Sequence, residues 1–404
     1  MPDSLECLKS TTLKLFEYCR TREWKGHDPY DALNSEILGS LPMLNARLPR
    51  LVLTQLLKWS PFNFRSLLSV PETQNPKAVA LFLMAFVKLS RLGLLDQGGL
   101  LEAMTESLVT LRAQNTPYWC WGYSFPWQTL TVLVPKGAPN LVCTVFVANA
   151  LLDAYELTRE ERLLDMALSA AEYIRDELYW TDGDSIASFS YPLPSERSQC
   201  HNANFLAAAL ACRIFTHTRQ GEFLEPALKV TRYSVAQQHD DGSWNYGEFS
   251  AQRWVDNFHT GYNLCALRSI CTYAATTEFA SNVRRGFEFY RAHFFRDDGA
   301  PRYFHNRTYP IDIHSVAQSI ITLLTFRDLH QDGVALARTV YKWAIDHLWT
   351  ERGYFYYHSL PFYTNKISYM RWSQAWMLLA LSMLLEHAKP AAGLPGGISI
   401  RSVA

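Results

Sequence analysis

A chain of 404 residues that is 48% hydrophobic and 14% aromatic can bury a large core, and its length alone allows two or three domains. Lys plus Arg (38) balances Asp plus Glu (38), so the overall charge predicts no polyanion-binding surface, and nucleic acid is not an expected partner. The N-terminus carries acids and no apolar run, no later apolar stretch reaches membrane-spanning length without a polar break, and the eight cysteines include no CxxC pair, so a soluble, reduced, cytoplasmic protein with no transmembrane segment is expected.

Two kinds of helical segment alternate along the chain. Segments 5–20, 98–114, 160–179, 222–238, 278–294 and 335–349 read as amphipathic outer helices. In 160–179, Leu163, Ala167, Ala170, Ala171, Ile174 and Leu178 share one stripe while Glu160, Glu161, Arg175 and Glu177 face elsewhere, as a helix with one wet side requires. Segments 75–93, 140–157, 201–217, 256–274, 312–327 and 370–387 are apolar nearly all round, which predicts burial. Strict alternation of the two types predicts an all-α fold, the (α/α)6 barrel or six-hairpin toroid. It spans 1–388 as one body. The stretch 21–74 is a long insertion between the first outer and first inner helix, with a helix of its own near Leu48–Lys58. The tail 389–404, with Pro390, Pro395 and three glycines, is expected to fray.

The connections are unequal. Inner-to-outer turns are short, as at Thr158-Arg-Glu-Glu, whereas the outer-to-inner links 115–139, 180–200, 239–255, 295–311 and 350–369 are long and aromatic. Because the chain reverses at every helix, all long links share one end of the barrel with the N-termini of the inner helices. Function is expected there. The inner helices also open alike: His201, His259, His314 and Trp372 stand 58, 55 and 58 residues apart, a period that marks stacked helix pairs.

The inner-helix entries bring His201, Asn202, Asn204, Asp256, Asn257, His259, Asp312, His314, Gln318 and Arg371 toward one mouth. A helix N-terminus carries partial positive charge, which favours bound anions and keeps a nearby histidine neutral and usable as a base. Neutral histidines facing each other across a pocket suit proton removal and return at a carbon beside a carbonyl. Asp256 and Asp312 also stand where N-caps belong, and capping is the ordinary reason for an acid at a helix start. The links supply Trp121, Trp127, Trp244 and Tyr246, whose rings suit stacking on sugars or, more simply, filling the top of a wide barrel.

The phrases Cys-Trp-Gly-Tyr-Ser-Phe-Pro-Trp-Gln (120–128), His-Asn-Ala-Asn (201–204), Trp-Val-Asp-Asn-Phe-His-Thr-Gly (254–261) and Tyr-Pro-Ile-Asp-Ile-His-Ser (309–315) resemble a family of bacterial polysaccharide-biosynthesis proteins among the six-hairpin glycosidase-like toroids. That resemblance covers about residues 75–387 and implies a glycan-related role. Paired histidines in such a mouth resemble the N-acylglucosamine 2-epimerase family, and paired acids the unsaturated glucuronyl hydrolases; neither full motif is present. Gln238-His-Asp-Asp-Gly242-Ser-Trp244 fits the QxxxGxW motif of triterpene cyclases, which fastens a helix end to its turn, but the DxDD acid motif is absent. Cys120 within Trp-Cys-Trp-Gly, with Cys200-His201, is similar to the zinc ligands of lanthipeptide cyclases, although the glycine that follows Cys-His there is missing.

The sequence therefore predicts a carbohydrate-active enzyme of surface-glycan synthesis acting on a sugar or oligosaccharide without a cofactor. His259 and His314 would exchange protons with substrate, with His201 a third candidate. Asp256 and Asp312 would orient the histidines, and Arg371 would pair with an anionic group. Trp121, Trp127, Trp244, Tyr246, Trp372, Asn202, Asn204, Asn257 and Gln318 would contact substrate. Two alternatives stay open: glycoside hydrolysis by Asp256 and Asp312, and a non-catalytic glycan-binding or assembly protein.

Overall fold

The computed structural model describes residues 4–38, 41–95, 99–330 and 332–388. The tail beyond 388 lies outside the described residues. Six helices line the centre: α3 (Pro76–Arg91), α5 (Leu141–Thr158), α7 (His201–Thr218), α9 (Asn257–Tyr273), α11 (Ile313–Thr325) and α13 (Trp376–Ala388), the last entered through a wide turn over Met370–Ala375. Each packs on the next, and α13 packs on α3, so the ring closes. The outer helices α1 (Leu5–Arg20), α4 (Leu100–Thr110), α6 (Glu161–Tyr173), α8 (Leu224–Ala236), α10 (Ala280–His293) and α12 (Gly333–Leu348) cover it, and α2 (Arg47–Trp59) is the helix expected inside the insertion. The fold is the (α/α)6 toroid.

Apolar burial drives the closure. The α3 helix is buried from Pro76 to Val87 without a break, and each Leu, Ile or Phe removed from water there contributes about 1.5–3 kcal/mol. The helix α5 is long and apolar enough to span a membrane by composition, yet 67% of that stretch is buried in the ring. Here a core helix carries the hydropathy of a span. The sixth hairpin is not continuous in sequence: α1 packs against α13, so the two ends of the described chain complete it together.

The long links gather at the mouth and carry short ribbons: β1 (Trp127–Gln128) with β2 (Leu133–Val134), β3 (Tyr179–Asp182) with β4 (Ile186–Phe189), and β6 (Trp349–Thr350) with β7 (Tyr354–Phe355). A three-stranded patch orders β5 (Ile311–Asp312), β8 (His358–Ser359) and β9 (Thr364–Asn365). One contact recurs with the sequence period. The amide at the start of an inner helix donates to a carbonyl of the link that follows in the ring: His201 to Tyr246, Asn257 to Tyr303, Ile313 to Tyr357, and Met370 to His27 of the N-terminal insertion. These bonds satisfy amides that a helix start leaves without an intrahelical partner and pin each link over its neighbour.

Candidate active site

At the start of α9, Asp256 caps the helix and orients a histidine at once. Its Oδ1 accepts from the His259 backbone amide at 2.9 Å, while Oδ2 accepts from His259 Nδ1 at 2.7 Å and from Trp254 Nε1 at 2.9 Å. With Nδ1–H committed to the carboxylate, Nε2 carries the lone pair that a base needs. The ring lies against Tyr246 and Phe258, at 4.6 and 4.2 Å between centroids, and its side chain remains 21% exposed. Of the three expected histidines, His259 alone retains access to solvent.

His314 sits behind that surface. Its ring stacks between Phe258 and Trp376, each 4.6 Å away, with Trp372 edge-on at 4.5 Å. Its Nε2 shares a 2.5 Å hydrogen bond with the Tyr262 hydroxyl, and its buried Nδ1 has no partner. Burial, with the charges of Lys77, Arg371 and His259, holds its pKa well below the ordinary histidine value, so the ring is neutral at pH 7. His314 was expected to meet substrate directly; it is buried, and its Nε2 is taken by the Tyr262 hydroxyl. Tyr262, one turn below His259 on α9, was not foreseen. Its i+3 spacing from His259 was the available signal.

Asp312 also combines a cap with an aromatic partner. Its Oδ1 accepts from the His314 amide at 2.7 Å, and both oxygens accept from Trp372 Nε1, at 3.0 and 3.1 Å. Burial pushes its pKa up to about 7, against the lowering effect of those donors. It does not orient a histidine ring as expected; its contact with His314 is through the backbone. His201 is fully buried, with Nε2 2.8 Å from Glu248 Oε1. The three histidines, expected at one repeat position, stand first, third and second in α7, α9 and α11, and they take three different partners: a glutamate, an aspartate and a tyrosine.

Lys77, buried at the start of α3, extends its ammonium toward the rings of Phe146, Trp376 and Tyr262, at 4.1, 5.2 and 5.4 Å from the centroids. Burial first, then the charge of Arg371, depresses its pKa well below the ordinary lysine value. A lysine directly after a helix-opening proline in an apolar segment was the sequence signal for it. Around this centre Tyr123, Tyr191, Tyr246, Tyr262 and Tyr303 have pKa values raised chiefly by burial, so these phenols stay protonated at neutral pH.

Several residues expected at substrate are used to hold the fold. Arg371 presents its fork to Asp28, with Nε and Nη2 at 2.6 and 2.8 Å from the two oxygens, so the pair intended for an anionic ligand is filled from the insertion. The Trp121 and Trp244 rings are sealed, their indole N–H groups donating to Leu108 and Ser234 carbonyls. Asn204 accepts from Ser188 Oγ and the Phe189 amide and donates to Ser234, tying β4 to α7 and α8. Asn257 accepts from Tyr290 and Ser319, and Asn202 is buried with its Oδ1 unpartnered. Gln318 packs on Gly261, where an added Cβ would stand 2.6 Å from its Cγ; that glycine lets α9 and α11 approach. Trp372 serves Asp312 and packs edge-on to Tyr30 at 5.3 Å. Trp127 and Tyr246 remain partly open at the mouth.

A polar pocket of about 250 Å³ opens beside the Asp28–Arg371 pair, lined also by His27, Asn75, Ser124 and Phe125. A larger one, about 300 Å³, lies between α6, α7 and α8, far from the paired histidines in the fold and mostly apolar. Cys120 and Cys200 are buried thiols with pKa values pushed up to about 11, and no group of three or more metal-ligating side chains occurs among the described residues, so Cys120, Cys200 and His201 do not assemble the zinc set. Gln238 Nε2 donates to the Gly242 and Asn282 carbonyls, the fastening expected of its motif.

No family model matches the chain, and no curated protein does. Solved structures do. A cellobiose 2-epimerase from Bacillus thermoamylovorans superposes with a TM-score of 0.61 at 10% identity, covering 79% of this chain and 90% of that one. The shared feature is the (α/α)6 toroid. A GH76 α-mannanase from Bacteroides thetaiotaomicron gives 0.58 at 13% identity, over 77% and 85% of the two chains, and an unsaturated glucuronyl hydrolase specific for heparin gives 0.59 at 11%, over 96% and 98%. At such identities the likeness is one of fold.

Proposed function

We propose that this protein is a carbohydrate-active enzyme that moves a proton at a sugar carbon beside a carbonyl, an epimerase- or lyase-type reaction in bacterial surface-glycan synthesis. The observation that carries the reading is the Asp256–His259 pair, with the free Nε2 at the barrel mouth and the Tyr262 hydroxyl one turn below. His259 Nε2 takes the proton from carbon. The imidazolium that forms is stabilised by the Asp256 carboxylate held against Nδ1. Tyr262, protonated at neutral pH, supplies a proton or hydrogen bond to the developing enolate, and neutral His314 behind it exchanges that proton. Trp127 and Tyr246 offer ring faces for a sugar.

Hydrolysis by Asp256 and Asp312 has less support. A pKa of about 7 suits Asp312 to a general acid, but it is sealed behind Trp372, and both oxygens of Asp256 are occupied by Trp254 and His259. The biosynthetic setting rests on the resemblance of four sequence phrases. Incubation in heavy water with bacterial sugars, sugar nucleotides and exopolysaccharide fragments, read by NMR, tests the chemistry. Deuterium at a ring carbon is expected; new reducing ends without carbon-bound deuterium would overturn proton transfer in favour of hydrolysis.

A further inference from the structure

The insertion that roofs the mouth turns apolar side chains outward. On α2, Leu48, Val52, Leu56 and Trp59 form an exposed stripe at i, i+4, i+8 and i+11, with Leu48 69% and Leu56 66% exposed, while Thr54 and Leu57 face the protein. Phe62, Phe64 and Leu67 continue it along the chain. Two mouth hairpins widen it: Arg47 donates to the Leu130 carbonyl on the β1–β2 turn, and Tyr363, beside a 97% exposed Phe362 on the β8–β9 turn, donates to the Trp59 carbonyl. Of the 18 exposed large apolar side chains among the described residues, all but Leu5, Phe249, Tyr309 and Leu329 fall in 37–67 or on these two hairpins. Scattered exposure is ordinary on a protein surface; this concentration is not.

Within the segment that carries the stripe the charges have one sign. No Asp or Glu occurs between Glu36 and Glu72, whereas Arg47, Arg50, Lys58 and Arg65 do. Arg65 is consumed by Asp31 inside the fold, which leaves Arg47, Arg50 and Lys58 on the helix, and the flanking hairpins add exposed Lys136 and Lys366. Glu196 reaches the rim only through Thr131. An apolar helical face bordered by Arg and Lys, with Trp59 and Tyr363 together at one end, has the composition that settles at a lipid headgroup boundary. The chain as a whole is neutral, so this polarity is local.

We propose that this face docks on the surface of an anionic phospholipid bilayer, with α2 lying in the headgroup layer. The apolar stripe enters the acyl boundary and the basic rim meets lipid phosphates. Lys58 donates to the Tyr30 hydroxyl and Tyr30 packs on Trp372, so α2 sits directly above the inner-helix entries. Docking in this way turns the barrel mouth toward the membrane. The proposal is independent of the reaction assigned to His259.

Sedimentation of the purified full chain with phosphatidylcholine vesicles, with and without phosphatidylglycerol, tests it. Binding to the anionic vesicles is expected, weakened by high salt. L48E with L56E is expected to lower the bound fraction at limiting lipid by about tenfold or more, and R47E with R50E to abolish the preference for phosphatidylglycerol. All four side chains are at least partly exposed, so melting curves should match the parent. Absence of vesicle binding, or binding unchanged in L48E with L56E, overturns the proposal. So does a dimer by sedimentation equilibrium that L48E with L56E splits while vesicle binding is nil, which would give the face to a second copy.

Discussion

Asp256 divides its carboxylate between two atoms of one neighbour: Oδ1 meets the His259 amide at 2.9 Å and Oδ2 meets its Nδ1 at 2.7 Å. Helix capping and orientation of the imidazole therefore fall to one carboxylate. Asp256→Asn keeps an oxygen for the cap but can no longer hold the imidazole as a carboxylate does, and turnover is expected to fall by on the order of 10²–10⁴. His259→Gln should lose as much with little change in melting temperature. Deuterium incorporation rates for both variants check this, and parent-like rates in either would remove the dyad from the mechanism.

Tyr262→Phe strands His314 Nε2 in a sealed site. The cost is expected at about 1–3 kcal/mol of stability, together with a fall in turnover. Urea titration and rate measurement on the same preparation separate the two effects; lost stability with intact turnover would make the pair structural only.

Asp312 predicts a pH signature. Its folded pKa of about 7 lies above the unfolded value of about 3.9, so folding favours its protonated form. That contribution is complete below about pH 4 and is lost as pH rises to about 7. Asp312→Asn, which cannot ionise, should gain stability relative to the parent across that window and hold the gain above it, with a few kcal/mol as the ceiling. Parallel stability–pH curves for the two proteins would contradict the assignment.

Lys77 carries the opposite sign. Its folded pKa is depressed, so the folded chain sheds a proton and the penalty grows as pH falls below about 10.4. Lys77→Met should stabilise the protein by at least about 1 kcal/mol at neutral pH. The advantage should vanish in strong alkali. If Lys77→Met also abolishes turnover while raising the melting temperature, the amine belongs to the site.

Arg371 and Asp28 form a buried pair across the ring closure. Arg371→Met leaves a carboxylate uncompensated and is expected to cost about 3–5 kcal/mol, with Asp28→Asn in the same chain recovering part of it. A double-mutant cycle by thermal melting measures the coupling; additive losses would deny the pair its role.

Much of the fold was legible because periodicity is local. All twelve ring helices stand where hydrophobic patterning puts them, and the insertion helix, read at Leu48–Lys58, spans Arg47–Trp59. Capping was legible too, since Asp256 and Asp312 lie within three residues of the amides they accept. The partners of the histidines were less so. Glu248 is 47 residues from His201 and Tyr262 is 52 from His314, and nothing within a repeat says which side chain a neighbouring repeat will present.

What the sequence determined by itself was the number of helices, their alternation between inner and outer faces, and the end of the barrel at which the polar residues collect. Those follow from spacing along one chain and from the burial that apolar faces demand. Tertiary structure decided which of those residues remain open. It gave Arg371 to Asp28, sealed Trp121 and Trp244, bonded the buried His314 to Tyr262, and left His259 partly exposed. These outcomes depend on contacts between elements far apart in sequence, where the closing of the ring fixes which polar groups find a partner inside and which keep a face to solvent.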